Sequence, residues 1–200
     1  MDRSTIDRDK QLWNRLRESD ETALSELFHL YAESLYQYGF LICKDKETVE
    51  DCLQDLFFRI WKKRHQLTPV EKVHTYLLIA LRNRIHNTFR KVQGIPLNEC
   101  NDEQIGIQTS REIDWIEDET QSIHRQFVRQ AVDTLPSRMK QALYLRYFEQ
   151  KDYTDIADIM KISKQVAVNM VHRATQKLRL YSKQYSDWFT IITIIISHLF

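Results

Sequence analysis

The 200-residue chain contains 42% hydrophobic and 28% charged residues, enough apolar material for a packed core, which excludes a disordered polymer. Its 3 Gly and 3 Pro exclude the Gly-rich phosphate loops of nucleotide-binding enzymes and disfavour a fold of many short strands. The formal net charge is +1, and the 3 Cys form no CxxC motif. We therefore predict a reduced, cytoplasmic protein with no disulfide framework, metal site or cofactor, and the charged start MDRSTIDRDK predicts no signal peptide.

Charge is distributed in blocks along the chain. Residues 59–91 hold 9 Lys or Arg and 1 Asp or Glu, and residues 125–181 hold 11 and 5. Between them, residues 96–124 hold 1 basic and 8 acidic residues. Two basic blocks around an acidic one suggest two contacts with a polyanion. The alternative is that helical faces simply segregate charge toward solvent.

Apolar residues recur at helical spacing in three stretches of the first half. The stripe over 24–42 predicts a helix with Asp20 as its N-cap. A second helix is predicted over 46–65, and a third over 70–91 with Pro69 at its start. The residues predicted to face inward in the second and third helices are Val49, Leu53, Leu56, Ile60, Val73, Leu77, Leu81 and Ile85.

The second half predicts a linker followed by a second helical unit. Residues 93–111 show no periodicity and are predicted to be a linker. A helix acidic at its start is predicted over 113–134, and three more over 137–149, 153–160 and 163–180.

The last two helices have the spacing of a helix-turn-helix. Ile156, Ala157 and Met160 are predicted to face inward, and Ser163 is placed to cap the longer helix. That helix can lie in a DNA major groove, although an ordinary helical hairpin is the alternative. Its candidate DNA contacts are Lys164, Gln165, Asn169, Arg173, Lys177 and Arg179.

The second predicted helix carries a polar and aromatic row on its outward side. Asp51, Gln54, Asp55 and Phe58 share this side when the apolar stripe is buried. A polar surface with an exposed aromatic is typical of a protein-docking face, and a solvated helix face is the alternative. No His or Ser lies at a catalytic spacing, so we predict no catalytic residues.

Basic and aromatic residues alternate through 59–91. Basic groups can hold a phosphate backbone while aromatic rings stack on unpaired bases. The alternative is that Trp61 and Tyr76 belong to the core. The basic members are Arg59, Lys62, Lys63, Arg64, Lys72, Arg82, Arg84, Arg90 and Lys91, and the ring-bearing members are Trp61, His65, His74, Tyr76, His86 and Phe89.

In this order the three signals resemble the extracytoplasmic-function (ECF) class of bacterial RNA polymerase sigma factors. The resemblance rests on EDCLQDLFFRIW followed by TYLLIALRNRIHNTFR, and on LPSRMKQALYLRYFEQKDYTDIADIMKIS with HRATQKLR. It covers residues 12–91 (region two of the family) and 125–180 (region four). It implies an all-α protein of two small helical domains, a region-two bundle and a region-four helix-turn-helix. The expected boundaries are 1–92, a linker over 93–124, 125–181, and an apolar tail over 182–200.

The resemblance also implies partners and residue roles. The partners would be RNA polymerase core (the clamp coiled coil of the beta-prime subunit, and the beta subunit), promoter DNA and an anti-sigma factor. Together with the outward row, it assigns polymerase docking to Asp51, Gln54, Asp55, Phe57 and Phe58. Contacts with the minus-ten promoter element would come from Arg64, His74, Tyr76, Arg82, Asn83, Asn87 and Arg90. Contacts with the minus-thirty-five element would come from Ser163, Lys164, Gln165, Asn169, Arg173 and Lys177.

This sequence departs from the family pattern at two points. Tyr76 stands where the family usually has Trp, which keeps an aromatic ring for stacking. The family's frequent Thr-Val-Lys-Ser-Arg run is Val-Ala-Val-Asn-Met over 166–170, so two cations are missing from the recognition helix.

Two alternatives to a sigma factor are compatible with the sequence. One is a stand-alone helix-turn-helix regulator, which would not need the docking row, and the other is a helical scaffold without DNA affinity. The tail WFTIITIIISHLF over 188–200 is shorter than the roughly 20 apolar residues of a membrane span. It could pack on the protein's own helices, bind a partner such as an anti-sigma factor, or associate with a membrane surface.

Overall fold

The computed structural model describes residues 3–93 and 130–184, and the chain divides into two compact units, 1–109 and 110–200. All regular secondary structure in the described ranges is helical, which confirms the all-α prediction. The predicted linker, the tail and most of the predicted helix over 113–134 lie outside the described residues. Residues 130–133, at the end of that predicted helix, are helical.

Within residues 3–93, the first unit has four α-helices and one short 3-10 turn, Arg64–Gln66. The helices are α1 (Arg3–Arg17), α2 (Glu21–Cys43), α3 (Lys46–Lys62) and α4 (Val73–Gln93). All of the residues predicted to face inward in α3 and α4 are buried. The predicted N-cap is also confirmed, because the Asp20 carboxylate accepts the backbone N–H groups of Thr22 and Ala23 at 2.9 and 3.3 Å.

Three helices of this unit meet at a glycine. A Cβ atom on Gly39 of α2 would lie 2.9 Å from Val49 Cγ1 of α3 and 3.3 Å from Ile85 Cδ1 of α4. Ordinary carbon contacts are about 3.5–4.0 Å, so this position has no room for a side chain as packed. The missing Cβ therefore allows the close crossing of α2 with its two neighbours.

Helix α1 was not predicted from the sequence. Its buried side, Leu12, Trp13 and Leu16, is short, and much of the rest of the helix is polar or charged. The buried stripe also includes the carboxylate of Asp9, which accepts a hydrogen bond from the Tyr31 hydroxyl of α2. A charged residue in a core position interrupts the apolar periodicity on which helix prediction depends.

Helix α4 begins at Val73, so the prediction that Pro69 opens this helix is wrong. The preceding segment is attached to α1 through its backbone carbonyls. The Trp13 indole N–H donates to the carbonyl of Thr68 at 3.0 Å, and the Arg17 guanidinium donates to that of Leu67 at 2.8 Å. These two bonds satisfy backbone acceptors without a helix, which is why the chain can remain non-helical here.

The second unit contains α5 (Ser137–Leu143), α6 (Tyr153–Met160) and α7 (Lys164–Gln184). The helix predicted over 137–149 is α-helical only to Leu143 and continues as a π-helical segment, Tyr144–Phe148. At the end of this segment, the backbone N–H of Glu149 donates to the carbonyl of Tyr144 at 3.1 Å, a five-residue step. The buried apolar residues of α6 and α7 are Ile156, Ala157, Ile159, Met160, Ala167, Val171 and Ala174.

Candidate nucleic-acid and protein-docking interfaces

The outward side of α3 carries exposed polar and aromatic groups. Asp51 and Gln54 are exposed, and the Phe58 ring is 62% exposed. The opposite, apolar side of α3, including Leu53 and Leu56, is buried in the first unit. An exposed Phe costs free energy in water, so its position beside polar groups is typical of a surface that binds another protein.

Asp55 lies on the same side of α3 but is held by two arginines. Arg59 Nε, one turn later, lies 3.2 Å from both carboxylate oxygens, and Arg84 of α4 forms an ion pair with Oδ2. The Arg84 side chain is only 23% exposed. This cluster links the predicted docking helix to the predicted DNA-contacting helix. Sequence reasoning missed it, because no local pattern relates residues 55 and 84.

Phe57, in the predicted docking set, is 6% exposed and supports the surface from beneath. Its ring packs edge-on against Phe28 of α2, with ring centroids 5.1 Å apart and planes at 77°. Phe28 itself is partly exposed. Phe57 therefore packs against the partly exposed Phe28, whereas Phe58 exposes its own ring on the outward side of α3.

His74, in the predicted minus-ten set, lies in the core of the first unit and is 4% exposed. Its ring stacks on that of Tyr31 with a centroid distance of 4.4 Å, and its Nε2 lies 2.9 Å from the Ser34 hydroxyl. In this conformation the ring is not accessible to DNA. It joins α4 to α2, and the bond from Tyr31 to Asp9 extends the polar cluster to α1.

Arg64 lies in the segment between α3 and α4 and is half-buried. Its guanidinium carbon is 4.2 Å from the centre of the Trp61 ring, a cation–π contact. It also donates to the Ser19 hydroxyl at 2.8 Å and to the Trp61 carbonyl at 3.0 Å. Arg64 therefore fixes the end of α3 against the turn between α1 and α2.

The remaining predicted minus-ten residues lie on α4 and range from buried to exposed. Arg82 is buried, Tyr76, Asn83 and Arg90 are half-buried, and Asn87 is exposed. The Tyr76 ring meets Trp13 edge-on with ring centroids 5.1 Å apart, and burial raises the pKa of its hydroxyl. Tyr76 is thus a neutral aromatic group with one side packed on α1.

The turn between α6 and α7 has local features that a helix-turn-helix needs. Asp152 caps α6 by accepting the Asp155 backbone N–H at 2.7 Å. Helix α6 ends at Met160, and its C-cap Lys161 has a left-handed backbone with φ of 53°. Ser163 then caps α7 by accepting the Val166 N–H at 3.3 Å. The predicted capping role of Ser163 is confirmed.

All six predicted minus-thirty-five residues are exposed on or just before α7: Ser163, Lys164, Gln165, Asn169, Arg173 and Lys177. The Gln165 side-chain amide donates to that of Asn169 at 3.1 Å, one helical turn later. Ala167, Val171 and Ala174 face the opposite, buried side. The structure thus places the whole set on a solvent-facing surface of one helix.

None of the helices that the structure describes combines the length and apolar character needed to cross a membrane. Within the described residues, no group of three or more His, Cys, Asp or Glu side chains is placed to hold a metal ion.

Both predicted regions match known families. The family model for Sigma-70 region 2 matches residues 27–94, and the model for Sigma-70, region 4 matches residues 126–178. Together they cover more than half of the chain. A stand-alone helix-turn-helix regulator would not account for the region 2 match, so this alternative is not favoured.

Curated relatives match along most of their length. The chain is 27% identical over 150 residues to RNA polymerase sigma factor HrpL of Pseudomonas syringae pv. syringae, covering 73% of this chain and 77% of the relative. It is 27% identical over 170 residues to ECF RNA polymerase sigma factor SigM of Bacillus subtilis strain 168, covering 82% and 98%. SigX of the same strain is 25% identical over 162 residues, covering 80% and 83%.

Solved structures share the fold. The sigma factor RpoE of Bartonella quintana, solved with the anti-sigma factor NepR, superposes with a TM-score of 0.59 at 20% identity, covering 80% of this chain and 96% of RpoE. CnrH, solved with the cytosolic domain of CnrY, superposes with a TM-score of 0.59 at 14% identity, covering 90% and 98%. Because both sigma-70 regions match in order and these relatives are sigma factors, the chain belongs to the sigma-70 family as an ECF RNA polymerase sigma factor, which directs promoter-specific transcription.

Proposed function

We propose that α3 is the surface through which this sigma factor binds RNA polymerase core. The observation that carries the proposal is the row of exposed Asp51, Gln54 and Phe58 on a helix whose other side is buried. The clamp coiled coil of the beta-prime subunit is the proposed partner. A carboxylate and an amide supply directional contacts, and Phe58 supplies apolar area that binding removes from water.

Asp55 has a different role in this proposal. Since Arg59 and Arg84 already surround its carboxylate, Asp55 holds the docking helix on α4. It contributes to polymerase binding chiefly by keeping α3 in place. Phe57 acts in the same way, because it is buried beneath the partly exposed Phe28.

We also propose that the two units hold the two promoter elements. Tyr76, Asn83, Asn87 and Arg90 of α4, together with Arg64, would contact the minus-ten element once its strands separate, supported by their partial or full exposure. The buried His74 and Arg82 would support α4 from within. Helix α7 would contact the minus-thirty-five element. The proposed boundaries of these functional domains are 1–92 and 125–181.

The polymerase supplies the chemistry of transcription, and the sigma factor itself is proposed to be non-catalytic and cytoplasmic. An anti-sigma factor is a further proposed partner, since RpoE, which shares the fold, was solved in complex with the anti-sigma factor NepR. The apolar tail, for which the sequence leaves three alternatives, lies outside the described ranges.

Polymerase binding is tested by charge reversal on α3. Asp51→Lys should abolish co-purification with core polymerase while the helix content, measured by circular dichroism, stays unchanged, because Asp51 is exposed. The matched control is Glu33→Lys on α2, which reverses an exposed charge in the same unit outside the proposed surface. Unchanged core affinity in Asp51→Lys would refute the assignment of this surface.

A further inference from the structure

Helix α7 exposes three neutral side chains near its start. Gln165 and Asn169 are exposed, and Val166 is 43% exposed. An exposed Val is unfavourable in water unless a partner covers it. Because Ala167 and Val171 are buried on the other side, the three neutral groups share the surface that can enter a DNA major groove.

The two amides are joined to each other. Gln165 Nε2 donates to Asn169 Oδ1 at 3.1 Å, which leaves the Gln165 carbonyl as an acceptor and the Asn169 amide nitrogen as a donor. If nitrogen and oxygen are exchanged in both amides, one acceptor and one donor again remain. In the major groove adenine presents the complementary pair, a donor at N6 and an acceptor at N7, whereas guanine presents two acceptors.

Cations flank this neutral surface. Lys164 is the only Lys or Arg among the first nine residues of α7, and the exposed Arg173 and Lys177 lie further along the helix. Arginine bound to guanine is the commonest specific contact with a base, and no arginine is present in this part of the helix. The flanking cations are suited to phosphates, which position a protein without selecting a sequence.

We propose that the paired amides of Gln165 and Asn169 read adenine in the upstream promoter element, and that Val166 contacts the methyl group of an adjoining thymine. The inference rests on the proposed role of α7 and adds the chemistry of the bases read. A thymine methyl is the apolar group that the major groove offers to a side chain such as Val. Base selection here depends on hydrogen bonds and apolar contact, and binding strength on the flanking cations.

The test is selection of promoter DNA by the full chain assembled with RNA polymerase core. The DNA is a duplex library, randomised across the upstream element with a constant downstream element, and the retained molecules are sequenced. Adenine should be enriched at one position at least. Gln165→Ala or Asn169→Ala should reduce that preference by roughly fivefold to a hundredfold, the range for one base contact. Val166→Ala should reduce only the preference for the adjoining thymine.

Lys177→Ala is the control for a phosphate contact and should weaken retention of all sequences without changing the bases selected. Core binding is measured in the same samples by co-purification. If the chain does not bind core, the proposed function is refuted, and this inference with it. If the chain binds core and selects guanine at the α7 positions, or selects the same bases in both amide variants, only the inference is overturned.

Discussion

Reversing the charge of Asp55 should destabilise the first unit, whereas reversing the charge of Asp51 should not. Both carboxylates lie on the outward side of α3, and the sequence pattern gives them the same role. In the structure Asp55 is paired with Arg59 and Arg84, while Asp51 is exposed and forms no ion pair with another described residue. Asp55→Lys would replace the anion that binds Arg59 and Arg84 by a cation, so three cations would lie together.

The size of the effect follows from the solvent exposure of the cluster. Two like charges about 4 Å apart repel by roughly 4 kcal/mol at an effective dielectric constant of about 20, and by roughly 1 kcal/mol in water. Arg59 is more than half exposed and Asp55 is 36% exposed, so solvent screens much of this repulsion. Arg84 is 23% exposed and can turn away less easily. We expect Asp55→Lys to lower the free energy of unfolding by about 1–2 kcal/mol, and Asp51→Lys by less than about 0.5 kcal/mol.

Hydrogen exchange of the full chain, followed by mass spectrometry, measures this difference in the helices concerned. Amide protection in peptides from α3 and α4 should fall in Asp55→Lys and stay unchanged in Asp51→Lys, while peptides from α6 and α7 serve as an internal control. Adding Arg84→Glu to Asp55→Lys restores opposite charges and should recover part of the loss. Equal protection in the two single variants would refute the structural role assigned to Asp55.

Three further predictions concern packing, thiol chemistry and promoter opening. Gly39→Ala should lower the free energy of unfolding, because the alanine Cβ would lie 2.9 Å from Val49 Cγ1. Overpacking of this kind costs about 1–3 kcal/mol, whereas the higher helix propensity of alanine contributes about 1 kcal/mol. The cost of Gly39→Ala, measured by urea denaturation, should be smaller in a Val49→Ala background, and an equal cost in both backgrounds would contradict the proposed clash. Burial raises the pKa of the Cys43 thiol to about 12, so the thiol should be almost entirely protonated at pH 8. It should therefore react slowly with iodoacetamide until urea unfolds the chain. Equally rapid modification of Cys43 in the folded chain, detected by mass spectrometry, would contradict this. Tyr76→Ala should make the free energy of open-complex formation less favourable by about 1–3 kcal/mol more than that of closed-complex binding, as detected by permanganate footprinting. Tyr76→Phe should form the open complex as the unchanged chain does. An equal loss in both complexes would argue against base stacking.

The helices that carry clean apolar stripes could be predicted from the amino-acid sequence. The spacing over 24–42 and 70–91 placed α2 and most of α4 correctly, because a helix that buries one side must repeat apolar residues every three or four positions. The caps at Asp20 and Ser163 were also visible, since capping depends on residues within the same turn. The exposed candidates of α7 followed from the same local pattern.

Features that depend on residues far apart in the chain could be seen only in the folded structure. The chain around Pro69 is non-helical, and side chains of α1 bind the carbonyls of Leu67 and Thr68 there. His74 is buried because Tyr31 and Ser34 of α2 offer it a stacking ring and a hydroxyl. Asp55 is held by an arginine from another helix. Such contacts leave no periodic trace in the sequence, because each depends on how whole helices cross, whereas periodicity records only which side of a single helix avoids water.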